Sequence, residues 1–209
     1  MVRGARGFDR VAGYYDRLAK LVFGDSLLKA QHALTNALPG RKTILVAGGG
    51  TGAVLAALRK AKPKQLHFLE ASKKMMALAK KNDYGAYPIN WLYADVREVD
   101  LPAVDVVVTQ FFLDVFEQEE AKHLIKRLAA HVPEGGYWLY ADFLPATEVK
   151  WHQTLLLWLM LQFFRITVGL SAKAVTNHLP MIEAQGFRCI ASERHVNGMV
   201  QVCLLRKGT

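Results

Sequence analysis

The spacing of hydrophobic residues changes repeatedly along the chain between the two periods that distinguish helices from strands. Short apolar runs predict strands, and apolar residues three or four positions apart predict helices. The predicted strands are 43–47, 65–69, 89–93, 104–109, 137–141, 187–195 and 199–206. The predicted helices are 9–22, 26–38, 53–61, 72–81 and 117–131, with a further apolar helix over 151–168. Strands and helices therefore alternate through most of the chain.

This order predicts the fold class. Strands that are separated by helices pair in parallel through right-handed crossovers, so that helices cover both faces of the sheet. The last two predicted strands are joined through Asn197-Gly198, and an Asn-Gly pair favours a tight antiparallel hairpin. We therefore expect an α/β, Rossmann-like sheet of seven strands, mostly parallel, with helices on both faces and a C-terminal antiparallel hairpin.

Composition limits the architecture and the location. The chain has 209 residues, of which 52% are hydrophobic and 22% charged, enough for a single domain with a substantial core. The two cysteines and the lack of an apolar N-terminal segment predict a reduced, soluble, cytoplasmic protein. The apolar run over 155–161 is followed by Gln162 and Arg165 and is shorter than the ~20 residues that span a bilayer. The seven histidines are scattered, so we expect no metal site.

The charge leaves several partners open. The formal net charge is +9, with basic residues concentrated over 3–20 and 59–81. Solvated helix faces explain these residues most simply, and peripheral contact with an anionic membrane is the alternative. Aromatic residues do not alternate with the lysines of 59–81, so binding to nucleic acid is not favoured.

A glycine-rich turn is the first candidate for chemistry. Residues 44–52 (ILVAGGGTG) run from an apolar strand into four glycines, which allow a sharp turn and a close approach of the backbone to a ligand. The spacing Gly48-x-Gly50-x-x-Ala53 also fits a dinucleotide-binding turn at a helix N-terminus. The alternative is a tight loop without a ligand.

Two carboxylates follow the next two strands. Glu70 ends the second strand, where a carboxylate accepts the hydroxyls of an adenosyl ribose. Asp95 follows the third strand, where it could accept the adenine amino hydrogen while the Val96 amide donates to the ring, although a helix cap is a competing role. The carboxylate of Glu70 is compatible with both NAD and S-adenosylmethionine, whereas Asp95 favours S-adenosylmethionine.

These motifs resemble those of the class I S-adenosylmethionine-dependent methyltransferases over nearly the whole chain. Residues 8–16 (FDRVAGYYD) are similar to the N-terminal pattern of the ubiquinone and menaquinone C-methylases and related lipid N-methyltransferases. Motif similarity continues over 44–52, 70–75, 94–96, 104–110 and 133–136. The resemblance implies S-adenosylmethionine as the methyl donor, which is released as S-adenosylhomocysteine (SAH).

The resemblance also implies roles for single residues. Tyr15 would close over the cofactor, with simple burial as the alternative, and Gln110 and Phe111 would flank the methionyl arm. The family usually has an acidic residue where this chain has Val46, so the methionyl ammonium would depend on backbone carbonyls or on Gln110. The predicted cofactor-binding residues are Tyr15, Gly48, Gly50, Gly52, Glu70, Ala71, Met75, Asp95, Val96, Gln110 and Phe111.

The acceptor side is predicted from position in the chain. Residues 151–168 lie where the resemblance puts variable substrate-recognition elements, and their apolar character suits core packing, an acceptor pocket or interfacial lid, or a dimer contact. The predicted acceptor contacts are Tyr14, Phe112 and Trp158. Asp114 is the candidate base for an acceptor that loses a proton, and capping of the helix near Glu117 is its alternative role.

The chain is thus expected to contain a helical lid (1–40), a cofactor-binding core (41–145), a substrate-recognition or lid segment (146–174) and a last helix with the hairpin (175–209). The predicted function is methyl transfer from S-adenosylmethionine to a small hydrophobic, quinone-like or lipid-like acceptor, by a monomer or homodimer. The alternatives are a non-catalytic S-adenosylmethionine-binding module and an NAD-dependent oxidoreductase.

Overall fold

The computed structural model describes residues 3–81 and 87–208, and its centre is a seven-stranded sheet in the order β3-β2-β1-β4-β5-β7-β6. The strands are β1 Thr43–Ala47, β2 Gln65–Glu70, β3 Ile89–Tyr93, β4 Val106–Gln110, β5 Tyr137–Phe143, β6 Phe187–His195 and β7 Val200–Lys207. Strands β1 to β5 pair in parallel, and β7 lies antiparallel between β5 and β6. The predicted fold class is confirmed.

Helices cover both faces of this sheet. They are α1 Arg3–Val11, α2 Tyr15–Phe23, α3 Ser26–His32, α4 Leu55–Leu58, α5 Lys73–Lys81, α6 Gln118–Ala130, α7 Trp151–Thr167 and α8 Leu179–Glu183. Short 3-10 turns occupy Thr35–Ala37, Arg59–Ala61, Leu113–Val115 and Val196–Gly198. Within the described part of the chain, no helix combines the length and apolarity needed to cross a bilayer.

The sheet separates two apolar layers. Ile44 and Val46 of β1 belong to one layer, with residues of α3, α4 and α7. Leu45 and Ala47 belong to the other, with residues of α6 and α8. Successive side chains of a strand point to opposite faces, and a parallel sheet is covered on both. This explains why β1 and β4 are continuous apolar runs in the sequence.

The helix boundaries differ from the prediction at the N-terminus. The predicted helix over 9–22 is divided into α1 and α2 at Gly13, a residue with low helix propensity. The predicted helix over 26–38 ends at His32 because Leu34 takes a left-handed conformation with φ 56°. The Thr35 hydroxyl donates to the His32 carbonyl over 2.7 Å and so satisfies one of the free acceptors at the helix end.

Candidate functional site

A cavity of about 620 Å³ opens at the C-terminal ends of β1, β2 and β4. The strand order reverses between β1 and β4, and this reversal is where open α/β sheets bind ligands. The loops after these strands form the floor of the cavity, and residues of α2 and α3 cover it. The predicted cofactor-binding residues line this cavity, with the exception of Gly52.

The glycine turn forms one wall of the cavity. Gly48 and Gly50 have φ of 67° and 57°, which disfavours residues with a Cβ. A Cβ on Gly48 would lie 1.9 Å from the Phe112 ring, whereas one on Gly50 would have no atom within 4 Å. Gly50 therefore faces open space that a ligand can approach. Gly52 shapes the turn instead, with φ 84° and an amide that donates to the Gly49 carbonyl over 3.0 Å.

Glu70 holds the glycine turn in place. Its Oε2 accepts the Gly50 amide over 2.9 Å, and its Oε1 accepts the Ser72 amide over 2.7 Å. Burial raises the pKa of Glu70, although these two amides oppose the shift. Each carboxylate oxygen can accept a second hydrogen bond, so the structural role leaves capacity for ligand hydroxyls.

Asp95 lies at the cavity wall but is already paired. Its carboxylate accepts three hydrogen bonds from Arg97, including Oδ2 from Nη2 over 2.7 Å. Burial raises the pKa of Asp95, but the bonds and charge of Arg97 outweigh it and hold the pKa below its usual range. The sequence left open that Asp95 caps a helix. In the structure its Oδ1 instead closes a turn, because it accepts the Arg97 amide over 2.9 Å. Val96 also lines the cavity.

Two N-terminal carboxylates fasten the helical cover to the loops below. Asp16 Oδ1 accepts the Thr51 hydroxyl over 3.0 Å. Asp9 Oδ1 accepts the Ser72 hydroxyl over 2.6 Å and the Lys74 amide over 2.9 Å. Both aspartates belong to the motif over 8–16, but the sequence assigned them no role. The hydroxyl residues Thr51 and Ser72, in the loops that follow β1 and β2, are the signal in the sequence that could have indicated these partners.

Gln110 supplies an unused acceptor. Its Nε2 donates to the Gln31 carbonyl of α3 over 2.8 Å, while its Oε1 is buried and has no hydrogen-bond partner among the described residues. Both residues line the cavity, as does Val46, which is only 3% exposed. An unsatisfied buried acceptor costs about 1–3 kcal/mol, so a donor from a ligand would relieve this cost.

Tyr15 lies in the cavity with its ring against Phe164, at 6.0 Å between ring centroids. Burial raises the pKa of its hydroxyl, and the negative charges of Asp114, Asp16 and Glu70 raise it further. Acidic side chains therefore lie near Tyr15, although the whole chain carries a formal net charge of +9 and Lys20 and Arg97 also line the cavity.

The candidate base Asp114 is not among the residues that line the cavity. It lies in a 3-10 turn, and α6 begins without a side-chain cap, so its alternative capping role is wrong. Its carboxyl interacts with the neighbouring carboxyl of Asp142. Burial raises the pKa of Asp114 to about 6, and burial together with the Asp114 charge raises that of Asp142 well above its usual range. One shared proton explains this pair.

His178 completes this buried cluster. Its Nδ1 lies 3.9 Å from Asp142 Oδ2, too far for a hydrogen bond, and neither ring nitrogen has a partner among residues 3–81 and 87–208. Burial lowers the pKa of His178 to about 4, so the ring is neutral at pH 7. Within those same residues, no group of acidic, histidine and cysteine side chains is arranged to hold a metal ion.

The cavity includes one of the three predicted acceptor contacts. Phe112 lines the cavity, but Tyr14 and Trp158 are exposed and do not. Tyr14 precedes the first residue of α2, and Trp158 lies on the outer face of α7. The cavity is also lined by residues that the sequence did not single out, namely Phe8, Val115, Phe116 and residues 168–171.

Part of the chain is similar to a known protein family. Residues 44–136 match a family model described as a methyltransferase domain. No curated protein sequence matches the chain.

Solved structures share the fold at low sequence identity. Magnesium protoporphyrin IX methyltransferase (ChlM) from Synechocystis PCC 6803 with bound SAH has a TM-score of 0.71 and 16% identity, over 98% of this chain and 96% of that one. The DhpI–SAH complex has a TM-score of 0.71 and 17% identity, over 99% and 96%. An O-methyltransferase family 2 protein from Planctomyces limnophilus DSM 3776 in complex with apigenin has a TM-score of 0.70 and 14% identity, over 94% and 61%.

Proposed function

We propose that this chain is an enzyme that transfers a methyl group from S-adenosylmethionine to a small apolar acceptor, in keeping with the match of residues 44–136 to a methyltransferase-domain model. The observation that carries this proposal is the cavity beside the glycine turn, which combines an open backbone at Gly50 with an unused buried acceptor at Gln110. A ligand with a nucleoside at one end and an amino acid at the other would fit these two features.

The residues at the site fit this cofactor. Gly50 leaves room beside the turn, and Glu70 retains acceptor capacity for ribose hydroxyls. Gln110 Oε1 would accept a hydrogen bond from the methionyl ammonium. An acidic residue at the position of Val46 would otherwise share this role. The Val96 amide and Asp95 would hold the adenine at the wall after β3. Bound there, S-adenosylmethionine supplies an electrophilic methyl group on a positively charged sulfur.

The charge around Tyr15 supports a cationic ligand. Burial raises the pKa of its hydroxyl most, and nearby carboxyl groups, including those of Asp16 and Glu70 at the cavity, raise it further. Carboxylates beside a low-dielectric cavity attract positive charge more strongly than they would in water. A sulfonium suits this region better than the pyrophosphate of NAD, which carries negative charge.

The remaining cavity wall favours an apolar acceptor. Phe8, Phe112, Val115, Phe116 and Val168 contribute ring and aliphatic surface, which supports a quinone-like or lipid-like acceptor. Methyl transfer requires chiefly that the acceptor atom be aligned and water excluded, and apolar side chains at this wall would serve both requirements. We assign no proton transfer to Asp114, because it does not line the cavity.

The test is transfer of a labelled methyl group. The protein is incubated with methyl-labelled S-adenosylmethionine and a panel of quinols, phenols and phospholipids, and the label is measured in the organic extract. Enzyme-dependent label in one acceptor class is the expected result. Binding of SAH without transfer to any acceptor would instead support the non-catalytic module, and binding of NADH, measured by fluorescence titration, would support the oxidoreductase.

A further inference from the structure

The outer face of α7 is apolar and uncovered. Trp151 is 82% exposed, Ile166 81% and Trp158 54%. These residues recur at helical spacing with two further exposed side chains, so all five lie on one face of the helix, where Gln162 separates Ile166 from the other four. The outer stripe consists of Trp151, Leu155, Trp158, Leu159 and Ile166.

The opposite face of α7 already serves the core. Leu157 and Leu161 are buried there, together with Gln153, whose side chain donates to the Asn197 carbonyl over 3.0 Å. A helix that is apolar on all sides is normally buried on all sides. A large exposed apolar patch marks a surface that binds a partner or a membrane. The outer stripe is therefore not needed for the fold and requires a partner of its own.

The charges around the outer stripe identify the kind of partner. Helix α7 contains no acidic residue, and the cations Lys150 and Arg165 are exposed at its two ends. The nearby Glu148 is paired with Arg194 at 3.3 Å.

We propose that the outer stripe docks this protein on a membrane surface rich in anionic phospholipids. Tryptophans enter the interface between headgroups and acyl chains, and flanking lysine and arginine interact with anionic headgroups. With 17 residues, α7 is shorter than the ~20 residues of a membrane-spanning helix, so it lies along the surface. Residues 168–171 directly follow α7 and line the cavity, so docking brings the cavity close to the lipid.

A second copy of the chain is the competing occupant, and the charges disfavour it. In a two-fold contact the same patch meets itself, so the two cations at the ends of α7 would face cations of the other copy. No carboxylate of α7 would be available to pair with them. An anionic bilayer neutralises the same cations. The proposal depends only on this surface and is independent of the methyl-transfer reaction.

Vesicle sedimentation tests the proposal. The full chain is expected to sediment with vesicles of phosphatidylcholine and phosphatidylglycerol, less with phosphatidylcholine alone, and less as salt screens the charges. Trp158→Gln should weaken this binding about tenfold, because it removes one large apolar group from the interface. Ile190→Gln is the matched control, since Ile190 is 55% exposed but lies on β6, and it should leave binding unchanged.

Two further measurements separate the outcomes. Brominated phospholipids should quench tryptophan fluorescence in the wild type and quench it less in Trp158→Gln, with circular dichroism showing that the variant is folded. Absence of vesicle binding, or equal binding by wild type and Trp158→Gln, overturns the proposal. Light scattering tests for a dimer of the wild-type chain. A dimer that dissociates in Trp158→Gln, together with no vesicle binding, also overturns the proposal and assigns the stripe to a second copy.

Discussion

Gly7 and Val168 bring α1 and the end of α7 closer together than a side chain on residue 7 would allow. A Cβ built on Gly7 would lie 1.8 Å from the Val168 carbonyl oxygen. This contact joins the N-terminal cover to residue 168, which lines the cavity. The position of the cover therefore depends on one glycine, in addition to the hydrogen bonds of Asp9 and Asp16.

The first prediction follows from this contact. Gly7→Ala should push α1 away from α7 at a cost of about 1–3 kcal/mol, and binding of SAH, measured by titration calorimetry, should weaken about tenfold. Gly13→Ala is the control, because a Cβ there meets no atom within 4 Å. Equal affinities for the two variants would show that the contact does not hold the cover over the cavity.

The glycine turn gives a second prediction with a matched control. Gly48 and Gly135 have φ of 67° and 74°, so alanine at either position should cost about 1 kcal/mol or more in the free energy of unfolding. Only Gly48→Ala collides with Phe112, at 1.9 Å, whereas a Cβ on Gly135 lies 3.8 Å from its nearest neighbour, Arg206. We expect weaker SAH binding in Gly48→Ala alone. Loss of binding in both variants would indicate general destabilisation.

The third prediction concerns the methionyl ammonium. Gln110→Met removes the unused Oε1 acceptor and should weaken SAH binding about tenfold, since a hydrogen bond to a charged group is worth about 1.5–3 kcal/mol. Binding of 5′-methylthioadenosine, which lacks the amino-acid group, should not change. If both ligands lose affinity equally, Gln110 acts by positioning α3 through the Gln31 carbonyl.

The buried cluster predicts two opposite effects of pH on stability. The pKa of Asp142 is raised by burial, so its contribution to stability is full below the unfolded pKa, about 3.9, and is lost as pH rises through the folded value. The pKa of His178 is lowered to about 4, so its contribution is full above about 6.5 and is lost as pH falls towards 4. The two contributions offset each other between these values.

Single substitutions should separate the two contributions. Relative to wild type, His178→Gln should gain stability as pH falls from about 6.5 to 4.5, by at most about 1.4 kcal/mol per pH unit. Asp142→Asn should lose stability over the same range. Urea unfolding at several pH values measures both differences. Parallel pH profiles for wild type and His178→Gln would contradict a neutral buried imidazole.

The sequence predicted the central strands well because a strand that is buried on both faces reads as an apolar run, as in residues 44–47 of β1. It could not predict the end of α3, because the left-handed conformation of Leu34 is not typical of leucine and depends on the folded surroundings. It could not predict the outward direction of Trp158 either. Helix α7 is apolar on all sides, so its periodicity does not show which face is buried.

The candidate site was predictable where it depends on loops that follow strands, as at Gly50, Glu70 and Gln110. The hydrogen bond between Asp16 and Thr51 was not, because side-chain contacts between distant segments leave no periodic pattern. The same limitation applies to Asp114. The sequence placed it beside the cavity, but only the fold shows that Asp142 lies against it.

Binding of an adenosyl cofactor at the glycine turn can be measured by calorimetric titration of SAH into the wild-type protein and into Glu70→Ala. We predict one site per chain with a dissociation constant in the micromolar range, about −8 kcal/mol. Binding in the variant should be at least about tenfold weaker, because it loses both the ribose acceptor and the hydrogen bonds that hold the glycine turn. No heat of binding at about 1 mM SAH, or equal affinity in Glu70→Ala, would contradict this prediction.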